Sequence, residues 1–200
     1  MPNLMKLYYF DTEGYGEVSR LIFKFANVPF EDVRIPKTDW PAMKNEPRFL
    51  TQQIPILELA NGKILGESKA IQYYLGKLYG FMGKDVFEDA KIQQYVFGLD
   101  DNGGAGKAIM LETDLAKKAE LAKAFYVNVV VNILQNYTKF LNENGNNGHL
   151  VGDKLTVADL ALYQALKTFM LFNIPIENEF PILSQFLVNM KEKVAKLSHA

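Results

Sequence analysis

The polar side chains best suited to chemistry lie in three short segments early in the chain. Tyr8 and Tyr9 stand side by side in an aromatic-rich stretch, and Trp40 precedes Lys44 by four residues. On a helical turn, that spacing lets an indole donor and an ammonium face the same carboxylate. Glu67-Ser68 precedes a predicted helix, whose first backbone amides and positive dipole end also suit a carboxylate.

Each of these groups also has an ordinary structural explanation. Tyr8 and Tyr9 could be common strand aromatics, and Trp40 could pack on a domain surface beside a solvated Lys44. Ser68 could simply cap a helix, a role that is compatible with ligand binding. Spacing alone leaves these alternatives open.

Thiol and metal chemistry by the protein itself are not expected. The chain has no cysteine, which excludes disulfides, thiolate zinc sites and thiol–disulfide exchange. Its two histidines, His149 and His199, lie far in sequence from any carboxylate cluster, so no metal site is predicted. Any thiol that reacts must belong to a ligand.

Composition limits the partners and the compartment. The chain has 200 residues, 48% of them apolar, and a formal net charge of −1, which gives no electrostatic footprint for nucleic acid or an anionic membrane. The first residues, MPNLMKLYYF, lack the apolar core of a signal peptide, and no apolar run approaches the roughly 18 residues that span a bilayer. We expect a soluble cytoplasmic protein without nucleic-acid or membrane partners.

Residues 1–80 are predicted to form an α/β domain. Lys6 to Phe10 and Phe30 to Ile35 have strand patterns on either side of a helical one, which makes a βαβ unit. A hairpin follows, with strands Ile54 to Leu59 and Lys63 to Leu65 around an Asn-Gly turn, and then a helix that Ser68 can cap. This order is that of a thioredoxin-like domain with a mixed four-stranded sheet, which carries no function by itself.

Residues 81–84 are predicted to be a linker and residues 85–200 an all-helical domain. Two apolar stripes with helical spacing indicate core-facing helices. They are Leu121, Phe125, Val129, Ile133, Tyr137 and Phe140, and Leu183, Phe186, Leu187, Met190, Val194 and Leu197. Thr156 and Asp159 have the spacing of a capping box at a helix start, and Asn142 to Gly148 reads as an exposed loop.

Five segments in order resemble the signatures of a cytosolic glutathione transferase, and most closely those of the sigma class, which includes the glutathione-dependent prostaglandin D synthases. They are MPNLMKLYYFDTEGYGEVSRLIF, DW followed by a lysine, QIPILEL, GESKAIQYYL and GDKLTVADLALY. The resemblance covers almost the whole chain. Together with the predicted change from an α/β to an all-helical domain, it is strongly specific.

The resemblance implies that Tyr9 is the catalytic residue, whose hydroxyl stabilises the thiolate of bound glutathione. A thiol has a pKa of about 8.5 and reacts as the thiolate, so a donor aimed at the sulfur raises the reactive fraction. Strand alternation then turns Tyr8 to the opposite face. Without the resemblance, nothing chooses between the two tyrosines.

The resemblance also implies the rest of a glutathione site. Trp40, Lys44 and Gln53 would contact the glycine end, and Glu67 and Ser68 would hold the γ-glutamyl group. Proline cannot donate to a sheet ladder, and a cis Ile54-Pro55 bond would free the Ile54 backbone to pair with the ligand's cysteine.

Asp101 would reach the glutathione amino group from the partner subunit of a homodimer. The alternative for Asp101 and its acidic neighbour in the LDD stretch is a solvated helix face.

Two departures from the family pattern stand out. Tyr15 and Gly16 replace an arginine and an alanine, which removes an expected charged contact near Tyr9. Thr51-Gln52 replaces a phenylalanine-glycine pair just before the QIP segment, where local geometry is therefore harder to predict.

The sequence thus predicts a dimeric glutathione transferase that joins glutathione, as co-substrate, to small hydrophobic electrophiles, with no tightly bound cofactor. Helices of the second domain would shape the electrophile site. Peroxidase or prostaglandin isomerase activity would be narrower variants. The competing hypothesis is a non-catalytic binding or structural protein on the same scaffold, as in lens crystallins that resemble this family.

Overall fold

Two units follow one another along the chain and divide between Met82 and Gly83. The structure, a computed structural model, describes residues 4–99 and 103–197. The first unit combines strands and helices, and the described part of the second contains helices, turns and loops. This is the predicted fold class, a thioredoxin-like domain with a mixed sheet followed by an all-helical domain.

The first unit contains a four-stranded sheet. Its strands are β1 (Lys6–Phe10), β2 (Glu31–Ile35), β3 (Ile56–Glu58) and β4 (Ile64–Gly66), in the order β2-β1-β3-β4. β1 runs parallel to β2, and β3 runs antiparallel to both β1 and β4. The parallel pair requires a crossover, which helix α1 (Glu17–Phe25) supplies. The predicted βαβ unit and hairpin are confirmed, although β3 is shorter than the segment Ile54 to Leu59.

Two further helices complete the first unit. They are α2 (Trp40–Met43) and α3 (Ser68–Tyr79), and α3 packs against α1. A buried cluster consists of Tyr8, Ile35, Phe49 and Ile56, with partly buried side chains around it that include Trp40 and Met43. Through Phe49, Trp40 and Met43, the segment that follows β2 packs against the sheet.

The start of α3 differs from the prediction. Ser68 is the first helical residue, and Glu67 occupies the cap position without a side-chain capping bond. The prediction that Ser68 caps this helix is therefore wrong. The turn out of β4 shifts the cap by one residue, because Glu67 adopts a positive φ of 64° there.

The second unit is built from helices of unequal length. They are α4 (Val86–Gly98), α5 (Gly103–Leu111), α6 (Leu115–Phe125), α7 (Val131–Glu143), α8 (Val157–Met170), α9 (Ile176–Glu179) and α10 (Pro181–Leu197). None of the helices described is long and apolar enough to cross a membrane. The second predicted stripe lies on α10, where Leu183, Phe186, Leu187 and Met190 are buried.

A π-helical turn, Tyr126–Val130, joins α6 to α7 and changes the first predicted stripe. Phe125 is buried, but the next fully buried residue is Val130 rather than Val129. Further along, Leu141 is buried where Phe140 was predicted, and Phe140 is only partly buried. The wider turn carries one extra residue and shifts the buried position locally, while Ile133 and Tyr137 beyond it are buried as predicted.

The capping box at the start of α8 is confirmed. Asp159 accepts hydrogen bonds from the Thr156 amide at 2.8 Å and the Thr156 hydroxyl at 3.1 Å. It also accepts from the Leu150 amide at 2.7 Å, and His149 Nδ1 lies 3.3 Å away. The buried Asp159 carboxylate therefore ties the preceding loop to the helix. His199 lies outside the described residues.

Candidate functional site

Four predicted binding segments converge on one end of the sheet, which we call the site end and define by Phe10, Ile35, Ile56 and Gly66. β1 and β2 are parallel, and Phe10 pairs with Ile35, so the carboxyl ends of the two strands lie side by side. Tyr8 pairs with Ile56, and Ile56 pairs with Gly66, because β3 is antiparallel to both neighbours. The carboxyl ends of β1, β2 and β4 therefore meet the amino end of β3.

The predicted site residues in the first unit follow or precede these strand ends directly. Tyr9 is the penultimate residue of β1, α2 with Trp40 follows β2, Ile54-Pro55 precedes β3, and Glu67-Ser68 follows β4. Residues well separated in sequence thus reach one end of one sheet. Asp101 lies outside the described residues.

The Tyr9 hydroxyl is held by the loop that follows its own strand. Tyr9 is 6% exposed, and its hydroxyl oxygen accepts a hydrogen bond from the Tyr15 backbone amide at 3.1 Å. That bond occupies one lone pair and leaves the phenolic proton available to a ligand. Because the backbone of Tyr15 donates, this hydrogen bond does not depend on which side chain stands at position 15.

Two glycines let the loop lie directly on the Tyr9 ring. A Cβ at Gly14 would stand 2.6 Å from the Tyr9 hydroxyl oxygen, and a Cβ at Gly16 would stand 2.9 Å from ring carbon Cδ1. Both distances are shorter than carbon atoms tolerate without movement of the loop or the ring. Gly14 also has a φ of 37°, which side-chain-bearing residues rarely adopt.

Burial raises the pKa of Tyr9 above its ordinary value of 10, while the Tyr15 amide and the positive charge of Arg20 act in the opposite direction. The net shift is upward, so the phenol is protonated throughout the neutral range. Tyr9 is accordingly a hydrogen-bond donor and not a base. Such a donor can stabilise an anion placed against it.

Tyr8 is engaged on the other face of the sheet. Its hydroxyl donates to Glu58 Oε2 at 2.9 Å and accepts from Arg48 Nη1 at 2.8 Å, and its ring packs edge-on against Phe49. The prediction that Tyr8 and Tyr9 face opposite ways is confirmed. Tyr8 already has a donor and an acceptor partner within the protein.

The Trp40–Lys44 segment forms a single helical turn, as the sequence predicts. The Lys44 amide bonds the Trp40 carbonyl at 2.9 Å. The indole is partly buried and packs edge-on against Phe10 and Phe49, with ring centroids 6.0 and 5.0 Å away. Trp40 thus has the packing role that was its alternative explanation, and a binding role remains a prediction.

The segment before β3 contains the cis peptide bond expected at Ile54-Pro55. Pro55 is buried, Ile54 packs partly against the Tyr8 cluster, and Gln53 is exposed. Gln52, at the position of the second departure, has a φ of 53°, and its amide bonds the Phe49 carbonyl at 2.8 Å. A residue other than glycine therefore makes a turn in the left-handed region of backbone space.

Glu67 combines exposure with an unusual backbone. Its φ of 64° and ψ of 117° lie outside the regions that non-glycine residues commonly occupy. Residues held in such conformations are concentrated at binding and active sites. Ser68 follows it as a partly buried residue in the first turn of α3, so its hydroxyl and the free amides of that turn lie together.

Metal binding has no support among residues 4–99 and 103–197. That part of the chain contains no group of three or more histidine, cysteine, aspartate or glutamate side chains that could hold an ion. His149 contacts one carboxylate, that of Asp159. A single carboxylate does not make a metal site.

Sequence reasoning missed Arg20 and the glycines that flank Tyr15. Arg20 lies in α1 beside the predicted apolar stripe and is completely buried. A sequence signal existed, because Glu17 stands three residues earlier and could pair with it. The contact of Gly14 and Gly16 with Tyr9 depends on loop geometry that spacing does not reveal.

The fold and the donor set together define a class: a cysteine-free thioredoxin-like domain with donors at one sheet end, followed by a helical domain. Comparison with known proteins makes this specific. A family model described as the N-terminal domain of glutathione S-transferase matches residues 7–84, and one described as its C-terminal domain matches residues 104–196.

Individual relatives agree with the family models. The chain is 34% identical to "Probable glutathione S-transferase 7" of Caenorhabditis elegans over 182 residues, which cover 88% of this chain and 85% of the relative. It is 31% identical to "S-crystallin SL11" of Nototodarus sloanii over 179 residues, 89% of this chain and 86% of that one. The chain belongs to the glutathione S-transferase family and is an enzyme of that family.

A solved structure refines the class. The "Fasciola hepatica sigma class GST" superposes with a TM-score of 0.87 at 27% identity, covering 100% of this chain and 95% of the other. The resemblance to the sigma class is therefore confirmed.

Proposed function

We propose that this chain conjugates glutathione to small hydrophobic electrophiles and that the site end of the sheet binds the tripeptide. The observation that carries the proposal is the convergence of the four strand ends, which gathers Tyr9, Trp40, Ile54 and Glu67-Ser68 at one place. Each segment offers the chemical group that one part of glutathione needs.

The two ends of glutathione are charged, and charged donors or free amides suit them. The first turn of α3, with Ser68 and the adjacent Glu67, takes the γ-glutamyl carboxylate and ammonium. Lys44, the Trp40 indole and Gln53 take the glycine carboxylate. Asp101 of a partner subunit would add a second carboxylate for the γ-glutamyl ammonium.

The middle of glutathione is an extended cysteine residue with a free backbone donor and acceptor. The Ile54 backbone, next to cis Pro55, offers a partner for both. The sulfur then lies beside the end of β1, where the thiol releases its proton to solvent and the Tyr9 hydroxyl donates a hydrogen bond to the thiolate. In the reaction the thiolate lone pair forms a carbon–sulfur bond to the electrophile, and the leaving group departs with the electron pair of the bond that breaks.

The electrophile site, the cellular compartment and the oligomeric state are proposed from the resemblance to the family. Helices of the second domain, residues 85–200, would provide the apolar surface for the electrophile. Glutathione is the co-substrate, no other cofactor is required, and the reaction would take place in the cytoplasm of a homodimer-forming protein. Lipid peroxide reduction and prostaglandin isomerisation are narrower variants, which product analysis with each substrate would distinguish.

A direct experiment combines retention on immobilised glutathione with a conjugation assay on a generic aromatic electrophile. The wild-type protein is expected to bind and to turn over. Tyr9→Phe is expected to bind but to conjugate slowly, since the phenylalanine ring fills the same space and lacks the donor. Tyr8→Phe is the matched control, because Tyr8 faces the other side of the sheet, and its conjugation rate should equal the wild-type rate.

The second candidate is a structural role like that of a crystallin, favoured by the similarity to an S-crystallin. Retention without turnover by the wild-type protein would support it. Failure to be retained at all would contradict glutathione binding at the site end.

A further inference from the structure

Arg20 is a completely buried charge that the proposed reaction does not use directly. All of its donor nitrogens have partners. Nε bonds both carboxylate oxygens of Asp32 at 3.1 and 3.2 Å, and Nη1 bonds Glu17 Oε2 at 3.1 Å. An arginine so thoroughly paired is held in one orientation, because its planar fork matches the fixed acceptors.

The remaining donors of Arg20 hold the loop that covers Tyr9. Nη1 bonds the carbonyls of Thr12 at 2.8 Å and Glu13 at 3.2 Å, and Nη2 bonds the carbonyl of Phe10 at 3.3 Å. These carbonyls belong to the chain that leads from β1 to Tyr15, whose amide bonds the Tyr9 hydroxyl. Arg20 thus holds three carbonyls along the path from the end of β1 toward the Tyr15 amide.

The charge of Arg20 also lies close to the Tyr9 ring, with its guanidinium carbon 5.8 Å from the ring centroid. Nearby carboxylates partly offset the positive charge of Arg20. Glu17 on α1 and Asp32 on β2 pair with Arg20 itself. Arg34 on β2 also binds Asp32, through the Oδ2 atom that Arg20 contacts, and reaches the exposed Asp11.

We propose that Arg20 is a positioning residue for the Tyr9 hydroxyl, acting through the loop carbonyls that set the Tyr15 amide and through its buried positive charge. This inference deepens the proposed function and rests on the role given there to Tyr9. With an uncharged tyrosine at position 15, Arg20 provides a cation 5.8 Å from the centroid of the Tyr9 ring. Neither part requires Arg20 to touch glutathione.

The test compares Arg20→Lys with Arg34→Lys. Both variants keep a positive charge, and both original side chains bind Asp32, but only Arg20 bonds the loop carbonyls. One readout is amide hydrogen exchange of Tyr15 in the protein without ligand. The other is the pKa of the bound glutathione thiol, followed by the ultraviolet absorbance of the thiolate against pH.

Arg20→Lys is expected to speed exchange of the Tyr15 amide about tenfold or more, since the loop loses the bonds that keep it closed. The pKa of the bound thiol should rise by about half a unit, a threefold loss of thiolate at a pH below that pKa. Arg34→Lys should change neither quantity. Unchanged exchange and an unchanged thiol pKa in folded Arg20→Lys would overturn the proposal.

A second variant keeps the test decisive if Arg20→Lys does not fold. Asp32→Asn removes one negative charge beside Arg20 while its amide oxygen still accepts from Nε. The stronger net positive charge should lower the pKa of the bound thiol, the opposite direction from Arg20→Lys. A rise or no change in that pKa would contradict the proposed effect of charge.

Tyr9→Phe separates this inference from the proposed function. If Tyr9→Phe leaves the bound thiol pKa unchanged, the role given to Tyr9 fails. The exchange rate of the Tyr15 amide then still decides whether Arg20 sets the loop, because that measurement needs no glutathione. If Tyr9→Phe raises the thiol pKa and Arg20→Lys moves neither readout, the Arg20 proposal alone fails.

Discussion

Adjacent tyrosines with the same side chain have different chemistry because their partners differ. Tyr8 is held between Glu58 and Arg48, whereas the Tyr9 hydroxyl receives one backbone amide. Strand alternation predicts that they face opposite ways but not which face carries the site. The resemblance supplied that choice, and Gly14 and Gly16 provide a physical reason for it, since they let a backbone donor reach Tyr9.

Gly14→Ala should disturb Tyr9 directly. The added Cβ would stand 2.6 Å from the hydroxyl oxygen, so either the ring or the loop must move. We expect a loss of stability of about 1–3 kcal/mol from overpacking, in addition to the cost of the positive φ. The value of kcat/KM should fall about tenfold to a hundredfold, because the donor is misplaced.

Gly62→Ala is the matched control for Gly14→Ala. Gly62 has a φ of 80° in the β3–β4 turn, and a Cβ there would meet nothing within 4 Å. It should cost about 1–2 kcal/mol through backbone strain alone and leave kcat/KM unchanged. Urea unfolding and steady-state kinetics measure both effects, and equal kinetics in the two variants would refute the contact with Tyr9.

Secondary-structure elements were predictable where apolar residues keep one spacing, of strand or helix. They were less predictable where each step along a helix rotates the apolar stripe slightly. In the α6–α7 segment, the predicted stripe advances mostly by four residues, and each such step overshoots a full turn by about 40°. A continuous α-helix would carry the stripe around its own axis. The π turn at Tyr126–Val130 absorbs this drift, and the hydrophobic pattern gave no notice of where it would occur.

The Thr156–Asp159 capping box was predictable because both of its residues lie within one turn. The additional bond from the Leu150 amide was not, because it depends on how the preceding loop folds back. The cap of α3 shows the same limit. The turn before α3 places the N-cap at Glu67, one residue before the predicted Ser68.

Asp159→Asn should destabilise the second unit by about 1–3 kcal/mol. Asparagine has one acceptor oxygen and an NH₂ group, so a buried donor would face the Leu150 or Thr156 donors. Asp114→Asn is the control, because Asp114 caps α6 at the surface and accepts from one amide, where asparagine caps equally well. Urea unfolding should separate the two variants, and equal midpoints would contradict the account of Asp159.

At the scale of the whole molecule, the order of the elements predicted the fold, and the strand register explains the site. A βαβ unit followed by a hairpin leaves few ways to arrange four strands, because parallel connections are right-handed and neighbouring segments pair. The register could not be read from the sequence, yet it brings Tyr9, Pro55 and Gly66 to the same end of the sheet. Asp101 lies outside the described residues, and its role in a partner subunit's site stays a prediction.

The proposed homodimer makes a simple prediction about mass. On α4, Val86 and Phe97 are 85% and 51% exposed and lie about three turns apart on one face. A dimer interface on this face would remove these apolar side chains from water. Light scattering at micromolar concentration should give about twice the chain mass of 22.7 kDa. A mass equal to one chain would contradict dimerisation and remove the proposed role of the partner's Asp101.

The central claim is that the Tyr9 hydroxyl stabilises the thiolate of bound glutathione, and the pH dependence of kcat/KM tests it most directly. Burial raises the pKa of Tyr9, so the phenol does not titrate in the neutral range and the ionisation observed there belongs to the thiol. A hydrogen bond to a charged group contributes about 1.5–3 kcal/mol, which is about one to two pKa units. Tyr9→Phe should shift the rising limb of the profile upward by that amount, while Tyr8→Phe should leave it in place; coincident profiles for Tyr9→Phe and the wild-type protein would contradict the claim.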